Sequence, residues 1–236
     1  MARCIDTRPR PRTQRERTAE STRRLLDAAI ELIAEKGFER TTAMEIGERA
    51  GYSRSMVRAR YGSKEALVES VLRNDFEPLM LAREVTGQHG LERAVALLCR
   101  VCVAAETRPA LLRTFFTVCF ETVGPAGQLR PWLTDWLNRV EAEVGSALRC
   151  GMKDGSVGTH VDPDVEARRV IAYGLGIGFR WVLEPARDFV GETGEWIDRV
   201  SVEWSPVSAS PTPAPARGPR NRPRPPARGR AAAKGS

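Results

Sequence analysis

Start and stop signals divide the sequence between residues 37 and 63 into helices of only about two turns each. Thr42, followed three residues later by Glu45, has the pattern of a capping box, which begins a helix. Gly51 ends that helix, and Ser53 caps the next one two residues later. This spacing predicts two short helices joined by a tight turn.

Helical periodicity also dominates on both sides of this segment, and no stretch alternates apolar and polar residues long enough to be a convincing strand. A first helix is predicted from about Thr18 to Lys36, and a long fourth helix from Ser63 to about Val85. Proline and glycine breaks then separate four or five longer helices, near residues 91–107, 109–123, 129–152, 163–184 and 192–204. The chain is therefore predicted to be all-α.

The third predicted helix concentrates positive charge without any acidic residue. Its three cations are Arg54, Arg58 and Arg60. Val57 and Tyr61 are four residues apart and are predicted to face the first helix, which leaves Met56 and the arginines on outward faces. A helix, a tight turn and a short second helix form the layout of a helix-turn-helix, whose second helix lies in the major groove of DNA. The basic helix therefore suits a polyanion, although a short charged helix by itself is by default a solvated surface.

The stretch GFERTTAMEIGERAGYSRSMVRARYGSKEAL resembles the DNA-binding domain of the tetracycline-repressor (TetR) family of bacterial regulators, over about residues 21–72. The positions that carry the resemblance are Gly37, Phe38, Thr41, Thr42, Ile46, Ala50, Gly51, Ser53, Tyr61 and Ser63 to Leu67. The resemblance implies an N-terminal three-helix DNA-binding domain followed by a C-terminal helical effector and dimerisation domain. It is looser in that second part, where Asp162-Pro163 and the closing WVLEP are similar to the family.

The resemblance also assigns a DNA-binding surface. Thr42 and Lys64 match positions that hold phosphates, and Arg58 stands where the family usually has a tyrosine that contacts phosphate. An arginine there can keep the phosphate contact or reach a guanine, and both alternatives stay open. The whole predicted DNA-binding set is Thr42, Ser53, Arg54, Ser55, Met56, Arg58, Arg60 and Lys64. The implied partner is double-stranded DNA carrying a palindromic operator.

The C-terminal helices are rich in aromatic residues, which predicts a core that also has room for an apolar or aromatic ligand between helices. Arg113 and Glu121 are the polar groups expected to orient such a ligand. The predicted ligand pocket consists of Arg113, Phe116, Phe120, Glu121 and Trp136. A ligand wedged there is expected to tilt the fourth helix and change the distance between two DNA-reading helices.

The sequence GLGIGF, residues 174–179, has the glycine spacing of a phosphate-binding loop but lies within a helical stripe. Gly174 and Gly178 are four residues apart, so they share one helix face and favour a close helix–helix contact over nucleotide binding. The resemblance places this helix in the interface of a homodimer. The predicted interface consists of Ala167, Ile171, Gly174, Gly178 and Trp181, and no cofactor is predicted.

Charge and composition predict four regions along the chain. Residues 1–17 form a basic arm predicted to be disordered, and residues 18–72, with nine cations and nine acids, form the DNA-binding domain. Residues 73–204 form the ligand-binding and dimerisation domain, which has a net charge of −4. Residues 205–236 carry seven cations and no acid in a proline-rich segment predicted to be disordered. The basicity therefore lies in the two tails and one helix.

Other functional classes find little support. Five cysteines without a small-scaffold spacing fit a reduced, cytoplasmic protein. A zinc site needs four ligands, and the two histidines, His89 and His160, lie in helix-breaking segments, so no metal is predicted. The cysteines are interpreted as buried apolar residues, with redox sensing as the alternative. No nucleophile–base arrangement suggests an enzyme, and no apolar run approaches the roughly 18 residues of a membrane span.

These observations predict a homodimeric transcriptional regulator that binds a palindromic operator and a small apolar effector. Repression is expected because the family mostly works by blocking promoters. One alternative is a nucleoid-like protein held on DNA by its arginine tails with little sequence preference. Another is an all-helical enzyme that uses the aromatic pocket.

Overall fold

The computed structural model describes residues 13–53, 55–81, 89–124 and 126–207. In these ranges the chain is helical and has no strand, which confirms the all-α prediction. The helices are α1 (Gln14–Lys36), α2 (Ala43–Arg49), α3 (Ser55–Tyr61), α4 (Lys64–Val71), α5 (Glu77–Met80), α6 (Gly90–Thr107), α7 (Pro109–Glu121), α8 (Arg130–Asp154), α9 (Pro163–Leu183) and α10 (Phe189–Trp204). A π-helical turn, Leu72–Phe76, joins α4 to α5, and a 3-10 turn, Gly127–Leu129, precedes α8. In the described part of the chain, no helix combines the length and the apolar character needed to span a bilayer.

Helix α1 begins at Gln14, four residues earlier than the predicted start at Thr18. The Thr13 hydroxyl accepts a hydrogen bond from the Glu16 backbone N–H, and the Glu16 carboxylate accepts one from the Thr13 N–H at 2.7 Å. This capping box satisfies two N–H groups that have no partner within the helix. The last four residues of the predicted disordered arm are therefore helical, and the rest of that arm lies outside the described residues.

Helices α2 and α3 form the two short elements that the spacing predicted. The Thr42 hydroxyl accepts from the Glu45 N–H at 3.2 Å, and the Glu45 carboxylate accepts from the Thr42 N–H at 2.9 Å. Gly51, at φ +79°, makes the tight turn in a conformation that other residues rarely adopt. Ile46 on α2 and Val57 on α3 are fully buried, so the two short helices are held by core contacts on their inner faces.

The fourth helix is less regular than predicted. Helix α4 gives way at Leu72 to the π-helical turn, where the Glu77 N–H donates to the Leu72 carbonyl, five residues back. The helical backbone ends at Leu81, which has φ −111° and ψ 26°. The predicted single helix to about Val85 is therefore replaced by three shorter helical segments up to Met80. The residues that directly follow Leu81 lie outside the described part.

The predicted DNA-binding and effector domains share one hydrophobic core. Helix α1 packs along α7, and the buried Thr114 hydroxyl of α7 donates to the Ile30 carbonyl of α1 at 2.9 Å. The same buried cluster contains Phe38 from the α1–α2 turn and Trp136 from α8. A second cluster, which includes Trp204, lies among α6, α8, α9 and α10. The predicted boundary after residue 72 thus falls inside a helical segment and a continuous core.

Candidate nucleic-acid interface

Helix α3 presents one free arginine. Arg58 is exposed and makes no hydrogen bond or ion pair with any described residue. Ser53 and Ser55 are also exposed, and their hydroxyl oxygens lie 2.9 Å apart. No acidic residue lies on α3 to pair with the guanidinium. Arg58 is therefore available to a partner such as DNA, whereas the predicted site residue Arg54 lies outside the described residues.

Arg60 is directed inward, contrary to the prediction that it lies on an outward face of the third helix. Its Nη1 lies 3.0 Å from the Thr18 carbonyl, 2.7 Å from the Ser21 hydroxyl and 2.6 Å from the Thr22 hydroxyl. All three acceptors belong to α1, and a nitrogen with two hydrogens divides its donation among them. Arg60 therefore attaches α3 to α1, and the sequence prediction missed this because spacing along α3 does not show which of its side chains reach a neighbouring helix.

The early start of α1 also adds residues to the surface around α3. Arg17 and Arg24 are seven residues apart, which places them on one face of α1, and both line a groove that also includes Met56 and Arg60. Met56 is half-buried and packs against the main core. Arg24 is partly neutralised by Glu20, at 2.8 Å. The signal that was missed was the capping box that extends α1 along this groove.

Lys64, predicted to hold a phosphate, makes contacts within the protein. Its ammonium group donates to the Phe38 carbonyl at 2.7 Å and lies 3.9 Å above the centre of the Phe38 ring. Burial lowers the pKa of Lys64, because desolvation disfavours the charged form. Lys64 therefore anchors the α1–α2 turn to the start of α4. Thr42 is exposed, but its hydroxyl is engaged in the cap of α2.

Glu121, predicted to orient a ligand, instead binds the backbone of the α1–α2 turn. One carboxylate oxygen accepts from the Phe38 N–H at 3.1 Å and the other from the Glu39 N–H at 2.8 Å. Glu121 is the last residue of α7, so these bonds join α7 to the helix-turn-helix. It does not line the internal cavity, and its assignment to a ligand pocket is corrected accordingly.

Two further predicted pocket residues also lie elsewhere. The Arg113 guanidinium stacks over the Trp181 ring at 4.8 Å, and Phe120 makes an edge-to-face contact with Phe179 at 5.0 Å. Both contacts join α7 to α9, and neither residue is among those that line the cavity. The two remaining pocket predictions, Phe116 and Trp136, do line the cavity.

The cavity has a volume of about 120 Å³ and lies among helices α5 to α10 and the π-helical turn. That size is close to the roughly 150 Å³ engineered apolar cavity that binds benzene. Its walls are almost entirely aliphatic and aromatic. Phe76 and Met80 contribute to it from the segment that follows α4, and Thr193 contributes to it from α10. Sequence reasoning missed these three because nothing in the helical periodicity marks which buried residues border a void.

The predicted dimer-interface residues are largely covered within one chain. Ala167 and Trp181 are buried, and a Cβ at Gly178 would lie 2.2 Å from the Phe116 ring. Ile171 and Gly174 line the cavity. Ala167, Gly178 and Trp181 are therefore covered by contacts within one chain. Ile171 and Gly174 are half-exposed, so for these two the assignment to a subunit interface stays a prediction.

Of the described cysteines, Cys119 is buried as interpreted, whereas Cys102 and Cys150 are half-buried and Cys99 is exposed. Burial raises the pKa of Cys102 to about 11, and it also raises the pKa values of Cys99 and Cys119. The thiolate is the reactive form, so these thiols are poor nucleophiles near neutral pH. Among the described residues, no group of three or more histidine, cysteine or acidic side chains is arranged to hold a metal ion.

The segment that contains α2 and α3 matches a known family model. Residues 25–71 match the family described as "Bacterial regulatory proteins, tetR family". This match includes most of α1, the capping box at Thr42, all of α3 and α4, and the free Arg58.

Two relatives of known sequence are similar to parts of this chain. The uncharacterised HTH-type transcriptional regulator YvkB of Bacillus subtilis is 38% identical over 52 residues, which are 22% of this chain and 28% of that protein. The A-factor receptor protein of Streptomyces griseus is 25% identical over 166 residues, which are 68% of this chain and 55% of that protein. The chain thus spans from about a quarter to about half of the length of these relatives.

The fold extends beyond the matched segment. A transcriptional regulator from Saccharomonospora viridis, solved in complex with choline, superposes with a TM-score of 0.65 at 23% identity. The superposition covers 77% of this chain and 95% of that structure. The likeness therefore reaches into the C-terminal helices that surround the cavity, and at this identity it concerns the fold alone.

Proposed function

We propose that this chain, whose residues 25–71 match the tetR family of bacterial regulatory proteins, regulates transcription by binding a palindromic DNA operator as a homodimer. The observation that carries the proposal is Arg58, which lies on the exposed face of a two-turn helix and has no partner among the described residues. An arginine in the major groove reads guanine through two parallel hydrogen bonds. The capped start of α2 adds backbone N–H groups that can meet phosphates on one side of the groove.

Selecting DNA from a random pool tests the proposal directly. A regulator enriches one palindromic sequence, with half-sites about one helical turn or a multiple of it apart. Enrichment without a common sequence, together with binding that disappears as salt rises, supports the alternative of a nucleoid-like protein held by its arginine tails. Specific contacts persist when the phosphate contacts weaken, so the same measurement separates the two functions.

We assign dimerisation to the outward face of α9. Ala172, Gly176, Phe179 and Leu183 are all exposed and follow a helical repeat along one side of this helix. Phe179 is 47% exposed and Leu183 62% exposed, which is unusual for large apolar side chains on one face. A stripe of small and apolar residues allows a second copy of the helix to approach closely.

A charge placed in this stripe is expected to separate the subunits. Leu183→Glu leaves the core unchanged, because the side chain is exposed, but it buries an unpaired carboxylate in any interface formed there. Analytical ultracentrifugation should show a folded monomer at concentrations where the unmodified protein is a dimer. A variant that stays dimeric moves the interface to another surface.

We propose repression that a small apolar effector relieves. Phe76 and Met80 line the cavity and belong to the helical segment that continues from α4. Glu77 ties this segment to α8, where it accepts from Trp132 Nε1 at 2.7 Å and from Arg139 at 2.9 Å. Burial opposes the charge of Glu77, but these bonds outweigh it and hold its pKa below the usual value. A ligand that moves Phe76 and Met80 therefore acts on the helix that carries the DNA-binding elements.

The relatives support this part of the proposal. One is named a receptor for A-factor, and one structural neighbour was solved with choline. A ligand shifts the equilibrium between the DNA-bound and DNA-free arrangements only if it binds one of them better. The effector is thus expected to prefer the DNA-free arrangement.

The effector and the operator are expected to weaken each other's binding by the same factor. Trp136 and Trp196 line the cavity, so an effector can be found by screening for quenched tryptophan fluorescence. Its affinity is then measured with and without operator DNA, and operator affinity with and without the effector. The coupling is supported if the operator lowers effector affinity and the effector lowers operator affinity by the same factor, of about 5 to 150. A compound that binds without changing operator affinity contradicts it.

A further inference from the structure

One residue that lines the cavity has a buried polar atom without a partner. Thr193 lines the cavity, the residue is only 3% exposed, and its Oγ1 has no hydrogen-bond partner among the described residues. Buried hydroxyls normally make a hydrogen bond, and an unpaired one destabilises the fold. An unpaired hydroxyl at the wall of a void therefore points to a partner that the void receives.

Other threonines of the same helical type are satisfied. The Thr22 hydroxyl donates to the Thr18 carbonyl at 2.9 Å, and the Thr107 hydroxyl donates to the Val103 carbonyl at 2.7 Å. Each uses the carbonyl four residues earlier, as helical threonines commonly do. Thr193 lies in the first half of α10 and makes no such bond.

The remaining lining residues offer no charge. None of the residues that line the cavity is Asp, Glu, Lys, Arg or His. The Tyr173 hydroxyl is already used, because it donates to the Glu192 carbonyl at 3.2 Å. The Tyr173 ring stacks on Trp196 with their centres 4.0 Å apart, so these two rings cover part of each other's faces.

We propose that this cavity takes an uncharged, mostly apolar molecule with one hydrogen-bonding group that binds the Thr193 hydroxyl. This assignment rests on the proposed function, since it specifies the chemistry of the effector. A carboxylate or an ammonium group would lose its hydration without gaining an ion pair. Aromatic walls attract cations, but no carboxylate lines the cavity to neutralise one. The volume of about 120 Å³ suits a single aromatic ring or a short alkyl group in direct contact with the walls.

Phenol and toluene make a matched pair of probes, because they differ only by a hydroxyl in place of a methyl group. Thr193→Val makes the same exchange on the protein. Affinities of both probes for both proteins, measured by isothermal titration calorimetry without DNA, form a double-mutant cycle. We expect the substitution to weaken phenol binding about three- to tenfold and to leave toluene binding unchanged or tighter.

The conservative variant Thr193→Ser keeps the hydroxyl and should retain most of the phenol affinity. Thermal unfolding checks the fold of each variant, and ligand-free Thr193→Val should be at least as stable as the unmodified protein, because it removes an unpaired polar group. Lower stability of that variant would mean that the hydroxyl has a partner in the free protein and would overturn the assignment.

Charged probes complete the experiment. Benzoate and tetramethylammonium should bind at least tenfold more weakly than phenol. Tighter binding of either one overturns the uncharged class of ligand, and equal loss of phenol and toluene affinity in Thr193→Val overturns the role of the hydroxyl. Failure of all four probes to bind also overturns the proposal.

These outcomes are independent of the proposed regulatory function. Probe binding is measured without DNA, and an effect of phenol on operator affinity is measured separately. Binding through Thr193 without any change in operator affinity keeps the ligand assignment and refutes the regulatory coupling. A ligand that releases the operator but binds equally well to Thr193→Val supports the regulatory coupling and refutes the ligand assignment.

Discussion

Replacing Gly178 with alanine is expected to lower the free energy of unfolding by about 1–3 kcal/mol. A Cβ at this position would lie 2.2 to 2.5 Å from three atoms of the Phe116 ring. Phe116 is buried, and its ring contacts those of Phe115 and Phe189, with centres 5.3 and 6.0 Å away. The ring must therefore shift toward the cavity that it lines, which disturbs its contacts with Phe115 and Phe189. Urea unfolding, followed by circular dichroism, measures the loss.

Gly174→Ala is the matched control on the same helix. Its new Cβ would meet no atom within 4 Å, and alanine is a better helix former than glycine. The free energy of unfolding of this variant should therefore rise by roughly 0.5–1 kcal/mol. The two substitutions are thus expected to change the free energy of unfolding in opposite directions, although they are one helical turn apart. If Gly178→Ala instead gives a stable, folded monomer, α9 meets its partner subunit through the glycine face, and the contact with Phe116 is not what limits this position.

Arg60→Ala is expected to weaken operator binding through the protein's own structure. It removes charge-assisted bonds from Arg60 to Thr18, Ser21 and Thr22, which should cost about 1–3 kcal/mol of stability. Without these bonds α3 is less firmly held on α1, so binding should weaken by a similar factor for every DNA sequence. Urea unfolding and fluorescence anisotropy with several operators measure the two effects.

Arg58→Ala is the matched comparison, since it removes the same charge two residues earlier. Arg58 is exposed and unpaired, so stability should change by less than about 0.5 kcal/mol. Operator binding should weaken by about 1–3 kcal/mol, with relaxed preference at one base pair of each half-site. Uniform loss on all sequences would make Arg58 a phosphate contact. Unchanged stability of Arg60→Ala, with loss confined to one base pair, would return Arg60 to the groove.

Polar contacts at the α1–α2 turn join the helix-turn-helix to α7. Glu121 from the end of α7 accepts the Phe38 and Glu39 N–H groups, and Lys64 from the start of α4 donates to the Phe38 carbonyl. Both partners of this turn are charged, so each bond is stronger than one between neutral groups. These contacts connect α7 to the turn before α2 and, through Phe38, to the helix after α3.

Local signals accounted for the helix-turn-helix well. The Thr42–Glu45 capping box and the Gly51 turn each depend on residues within four positions of one another, and the structure has both. The burial of Val57 followed from helical spacing, because Val57 and Tyr61 are four residues apart and share the inner face of α3. The fourth helix was predicted less well, since the π-helical turn at Leu72 arises from packing and has no local marker.

Sequence alone determined the helix class, the two short helices, the concentration of positive charge on α3 and the family resemblance, because each depends on neighbouring residues. Tertiary structure decided which polar side chains are free and which are engaged within the protein. Arg58 and Arg60 are two residues apart on one helix, yet one is unpaired and the other binds α1. Likewise, the packing of α5 to α10 creates the cavity, and it leaves the Thr193 hydroxyl without a partner among the described residues. Such differences depend on contacts between residues far apart in the chain, which periodicity and spacing do not encode.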